Sequence, residues 1–210
     1  LSLHDALPIS HVKAGEARDK ALARSQQTYQ GFIDQVRAAG FDLAGMTLNT
    51  AGSPTFHMHR NNPYATEVSV GSAFVKPVDF DTDTLTGHVP AAFIATPVIK
   101  ALDHMAIPSL EGLSGVTRFF DPNTERAFFV YGGHWNARPV SPPGLQYNDL
   151  FGRSSNQELL TGSRRVKLSV DDLVFLRPNQ SEALFFQFGD LAVYDAGRIV
   201  AHWPTFPVSA

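Results

Sequence analysis

The chain has 210 residues, 43% of them hydrophobic and only 18% charged, which is enough apolar material for one large domain or two modest ones and excludes a disordered tail. A formal net charge of −3 gives no basic face for nucleic acid or an anionic membrane, and the absence of cysteine removes disulfide scaffolds, thiolate zinc sites and cysteine nucleophiles together. The longest uncharged apolar run, 91–99, contains Pro97 and falls far short of the ~20 residues of a membrane span; with no cysteine present, a cytoplasmic protein is expected.

The opening segment Ser2-Leu-His-Asp-Ala-Leu-Pro-Ile9 matches the in-frame translation of a common sequencing adapter. Residues 1–10 are therefore expected to be an artefact, with natural upstream sequence missing. Next, Ala17, Ala21, Ser25, Thr28, Phe32, Val36 and Ala39 recur at steps of three and four, which predicts a helix over 15–39 with Gly40 as its stop. A short strand over 46–49 and a sharp turn at 50–55 follow. From residue 66 the texture changes to short apolar runs broken by turn residues. Strands are expected at 67–70, 73–75, 91–99, 115–120, 127–131, 165–168, 173–176, 184–188, 191–194 and 198–202. Turns fall at 121–123, 141–144 and 195–197. Beyond about 110 the pattern leaves room for at most one helical turn near 157–160. The C-terminal half reads as mostly antiparallel β, a barrel or sandwich.

His57 and His59 would share a face if they lay on a strand, which invites a metal. Seven residues separate His59 from Glu67 and three separate Glu67 from Gly71, spacings that do not suit a cupin, so polar strand-end histidines are expected. Asp79, Asp81 and Asp83 resemble the start of a calcium loop, but Thr84 and Pro90 stand where such a loop needs Gly and Glu, which leaves a solvated turn. Gly112-Leu-Ser-Gly115 is one residue short of a nucleophile elbow. Two Gly-Ser turns, Gly52-Ser-Pro-Thr55 and Gly71-Ser72, have the small residues and hydroxyls that can cradle a phosphate, although Gly-Ser turns are common in loops of every kind.

Four segments taken in order, Thr50-Ala-Gly-Ser-Pro-Thr55, Glu67-Val-Ser-Val-Gly-Ser72, Arg177-Pro-Asn-Gln-Ser-Glu182 and Gly197-Arg-Ile-Val-Ala-His-Trp203, resemble the D-serine dehydratase-like and D-threonine aldolase-like group of the alanine racemase fold, which are pyridoxal 5′-phosphate enzymes. The resemblance implies an α+β chain in which 11–90 is the C-terminal part of a (β/α)8 barrel and 91–210 a mostly antiparallel β domain. It implies that Gly52, Ser53, Thr55, Gly71 and Ser72 hold the cofactor phosphate. None of the five lysines, Lys13, Lys20, Lys76, Lys100 and Lys167, stands where the family carries its Schiff-base lysine, so the fragment is expected to be inactive alone.

Metal-dependent members of that group carry a histidine with a cysteine or aspartate where this chain has Gln180 and Glu182. The resemblance therefore implies a lost or altered divalent-metal site, with Glu182 as an acid/base and Gln180 as a hydrogen-bonding group. Gln157 and Glu158 stand where the group has acidic residues and a histidine. The implied reaction of the intact parent is α,β-elimination (deamination) or retro-aldol cleavage of an amino acid, of D configuration, by a homodimer. A racemase on the same fold and a non-catalytic β-rich binding module are the alternatives.

Overall fold

The computed structural model describes residues 17–103, 125–148 and 153–205; the expected strand over 115–120, the turn at 121–123, the motif at 112–115 and the adapter-like segment lie outside them. The described residues form a mixed α/β chain that divides into two compact units, 17–76 with 80–89 and 77–79 with 90–205. Among them, no helix is long and apolar enough to cross a membrane.

The first unit opens with α1 (Arg18–Ala38), which carries Asp19 in its first turn and Arg37 in its last, both favourable to the helix dipole. It ends where expected. Gly40 takes φ +85°, its N–H donates to the Arg37 carbonyl at 2.9 Å, and the Phe41 N–H reaches back to Val36 at 3.2 Å. This is a Schellman motif, and the left-handed residue in it favours glycine.

The buried stripe of α1 differs from the expected one. Ala21, Tyr29 and Ile33 are buried, while Phe32 is 39% exposed. The buried face runs through 21, 29 and 33 with Ser25 half-buried between them, and the Tyr29 hydroxyl docks it by donating to the Asn49 carbonyl at 3.0 Å.

Asn49 lies in β1 (Asn49–Thr50), which pairs in parallel with β2 (Glu67–Val68). The Asn49 side chain fixes this pair, donating to Glu67 at 2.6 Å and accepting from the Ser69 hydroxyl at 2.8 Å. The helix and this parallel pair are the α/β portion of the described residues. The strand expected at 73–75 is a 3-10 turn, Ser72–Phe74. The hydroxyl of Ser53 takes the N–H groups of Gly71 and Ala73, so they are unavailable to a ladder.

The second unit is built on a six-stranded antiparallel sheet. Its strands are β3 (Ile94–Leu102), β4 (Arg126–Tyr131), β5 (Ala137–Ser141), β6 (Leu145–Tyr147), β7 (Gln157–Gly162) and β8 (Leu173–Pro178). The hydrogen-bonded order is β5-β8-β3-β4-β7-β6. β3 pairs with β8 through Ile94–Pro97 and with β4 from Val98 onward, so Pro97, which has no N–H to donate, sits at the handover. The end strands β5 and β6 are joined by a turn and lie close together, so the sheet is nearly closed on itself. Inward residues alternate along β3 (Ile94, Thr96, Val98) and β8 (Val174, Leu176, Pro178), meeting Phe128, Val130 and Leu160 in one core.

Three expectations are corrected in this unit. Residues 157–160 form strand, not a helical turn. Gln, Glu and Leu favour helix, but β7 is paired with β4 on one side and β6 on the other, and tertiary pairing overrides propensity. Residues 165–168 are loop, although Val166 and Leu168 do bury their side chains. Residues 184–188 are not a strand either: α2 (Ser181–Phe185) takes 184–185, and turn and bend follow through 188. The strands β5 and β6 were not expected at all.

A hairpin, β9 (Leu191–Asp195) and β10 (Arg198–Trp203), follows as a separate two-stranded sheet. It turns through Ala196 and Gly197, both at positive φ as a tight primed turn requires.

Candidate functional site

The two small-residue turns singled out in the sequence meet in the first unit. Ser53 Oγ accepts the Gly71 N–H at 3.1 Å and the Ala73 N–H at 3.0 Å. The turn before it is held by the Gly52 carbonyl, which accepts from the N–H groups of Thr55 at 2.9 Å and Phe56 at 3.0 Å. Ala51 enters this turn at φ +67°, a conformation that costs a non-glycine residue about 1–2 kcal/mol. Ser53, Thr55 and Ser72 are buried. With both lone pairs of Ser53 Oγ occupied, its hydroxyl proton is left to donate.

Both glycines leave space. A Cβ built on Gly52 or Gly71 would meet nothing within 4 Å. The buried hydroxyl-bearing residues Ser53, Thr55 and Ser72 lie in the same two turns. The N–H of Gly71 is committed to Ser53, however, so that edge of the cradle is closed internally.

Lys76, which sequence reasoning did not single out, is tied to the same turn. Its backbone N–H donates to the Ser72 carbonyl at 2.8 Å, its ammonium donates to the His88 carbonyl at 2.8 Å, and Asp81 lies 3.9 Å away. Its backbone sits at φ +41°. The lysine is thus a buried brace between the segment after Gly71 and the segment before Pro90.

His57 and His59 do not share a strand face, because Phe56–His59 is a 3-10 turn. His57 is exposed and stacks on Phe56 with ring centroids 3.8 Å apart and 5.2 Å from the His88 ring. His59 is buried. The Asn62 carbonyl oxygen accepts the Tyr64 N–H at 2.9 Å, which turns the Asn62 NH2 toward His59 Nδ1 at 3.0 Å. His59 is therefore neutral with its proton on Nε2, and burial lowers its pKa. Among the described residues, no group of three or more His, Asp or Glu is placed to hold a metal ion. Asp79 and Asp83 fall in separate 3-10 turns, and Asp83 forms a two-pronged pair with Arg18 at 2.5 and 2.6 Å.

In the second unit Gln180 and Glu182, two residues apart, do not share a strand face. Gln180 is the residue before α2 and Glu182 lies in its first turn; both are exposed. Ser181 Oγ donates to Glu182 at 3.2 Å. The approach to this helix is anchored by Asn179, whose N–H and side-chain NH2 both donate to Asn136, at 2.8 and 2.6 Å.

Beside that anchor lies a buried charge pair that the helix-like string at 157–160 concealed. Arg153 donates to Glu158 from Nε at 3.0 Å and Nη2 at 2.8 Å, and to the Trp135 carbonyl at 2.6 Å. Glu158 is 2% exposed. The guanidinium also covers the Tyr147 ring at 4.2 Å. The adjoining loop packs so closely that a Cβ on Gly132 would stand 2.6 Å from Glu158 Cγ.

No family model and no curated protein matches the chain. Among solved structures, the chain is similar to a D-threonine aldolase from Filomicrobium marinum, with a TM-score of 0.65 and 16% sequence identity over 89% of this chain. The match covers 47% of the aldolase, so the chain spans about half the length of that enzyme. At this identity the likeness establishes a shared fold.

Proposed function

We propose that the chain is part of a pyridoxal-phosphate enzyme acting on an amino acid, with 11–90 as the last part of the cofactor-binding barrel and 91–210 as its β domain. The observation that carries the reading is the junction of Ser53 with Gly71, which joins the two turns named by the sequence resemblance beneath open space. The similarity in fold to an aldolase supports it.

Gly52 and Gly71 would admit the cofactor phosphate, and Ser53, Thr55 and Ser72 would offer hydroxyls to it. When bound, this cofactor supplies an electron sink for charge developing at the amino acid's α-carbon. Glu182 would accept or hold a proton near the substrate, and Gln180 would hydrogen-bond its polar groups. The finer reading is elimination or aldol cleavage of a D-amino acid by a homodimer, with racemisation on the same fold as the alternative.

The test is phosphate-dependent binding. Pyridoxamine 5′-phosphate is the suitable probe, because it lacks the aldehyde that labels surface lysines. Phosphorus NMR should show saturable binding that Gly71→Val weakens by about tenfold or more by filling the space over the turn, and pyridoxamine without the phosphate should not compete. Binding unchanged by Gly71→Val would remove the assignment.

A further inference from the structure

At the end of β3, the start of β4 and the loop after β7 there is a cavity of about 430 Å³, lined by Asp103, Arg126, Arg164, Lys167, Leu168 and Ser169. Its size is that of a small-molecule site, and it shares no residue with the Ser53–Gly71 junction. Its lining is strongly cationic for a chain whose net charge is −3.

The three cations differ in how they are held. Arg126 is fixed: it donates to the Val166 carbonyl at 2.8 Å and to Asp103 at 2.9 Å, and it stacks 5.3 Å from the centroid of the Phe128 ring. Asp103 is 83% exposed, so it neutralises this guanidinium weakly and can swing away at little cost. Arg164 is mostly exposed and touches Glu125 at 3.2 Å through Nε, which leaves its terminal N–H groups able to reach a ligand. Lys167 is exposed and has no acidic partner among the described residues. Even with Glu125 added to Asp103, cations outnumber acids here. Leu168 is buried and supplies an apolar wall.

We propose that this cavity binds a small phosphate monoester. A planar fork fixed in place, with two more exposed cations beside it, suits a compact dianion better than a single carboxylate. The apolar wall suits the carbon portion of the ester. Arg126 would orient the phosphate, while Lys167 and Arg164 would neutralise it.

The experiment titrates the purified chain with methyl phosphate, following amide chemical shifts of 163–169 against sodium chloride at matched ionic strength. Saturable shifts at millimolar phosphate ester are expected. Lys167→Gln should weaken binding by about fivefold or more without altering the melting temperature, because the residue is exposed, and Arg126→Lys should weaken it more by removing the fork. Gly71→Val should leave this titration unchanged, which separates it from the cofactor site. Shifts reproduced by sodium chloride, shifts equally large in Lys167→Gln, or a response to malonate with none to methyl phosphate would each overturn the proposal.

Discussion

Arg153 and Glu158 lie five residues apart and form a forked pair inside the second unit, with Glu158 almost completely excluded from solvent. Such a pair contributes little net stability relative to apolar groups, but breaking it leaves a bare buried charge. Arg153→Met should therefore destabilise the chain by about 3–5 kcal/mol in urea unfolding. Adding Glu158→Gln to that variant should recover part of the loss. If the double variant is no more stable than Arg153→Met, the pair is not acting as a buried charge pair.

Tyr147 supplies an alkaline signature. Burial pushes its hydroxyl up to about 12, helped by Glu158 and opposed by Arg153. The folded state thus keeps a proton that the unfolded chain releases near pH 10. Stability from this group is fully present below pH 10 and is lost as the pH rises toward 12, with a slope of about 1.4 kcal/mol per pH unit between those two values. Tyr147→Phe should flatten that part of the stability profile. Ultraviolet titration should show one fewer late-ionising tyrosine, with Tyr29, also raised by burial, still present.

His59 acts at the acid end. Its pKa is lowered by burial, so the unfolded chain takes up a proton that the folded chain refuses as the pH falls below the ordinary histidine range. Stability is present above that range and declines as the pH drops through it toward the lowered value. His59→Gln should remove this acid sensitivity from the first unit, read as loss of helical circular dichroism against pH.

The β core should respond to truncation where it is fully buried. Phe128 has no exposed surface, whereas Tyr194 on the hairpin is 70% exposed. Phe128→Ala should cost about 3–5 kcal/mol in chemical unfolding, and Tyr194→Ala less than about 0.5 kcal/mol.

Local signals in the sequence carried far. Gly40 stopped its helix because a left-handed residue is needed there, and Asp195-Ala-Gly197 marked its hairpin for the same reason. The strands at 127–131, 173–176, 191–194 and 198–202 showed as apolar runs between turns. Illegible stretches were those in which a distant partner decides the state. Gln157–Leu160 spells helix until β4 and β6 pair with it, and Leu184–Phe188 spells strand although the chain there ends α2 and turns. Ser53 and Gly71 could be named as small and polar, but the hydrogen bond that joins them spans 18 residues and leaves no local pattern. The pairing of Arg153 with Glu158 gave no signal because sequence does not report burial of a charge.

The strands β5 and β6 are consecutive in the chain yet sit at opposite ends of the hydrogen-bonded order, joined by residues 142–144. The sheet is therefore a ribbon whose two ends are stitched by three residues. A peptide cut inside the stitch removes no strand-to-strand hydrogen bond, so the nicked protein should keep its β signal. The outer borders of β5 and β6 carry no ladder partner in that order, and the cut frees these two end strands to part, so that foreign strands can add to both borders.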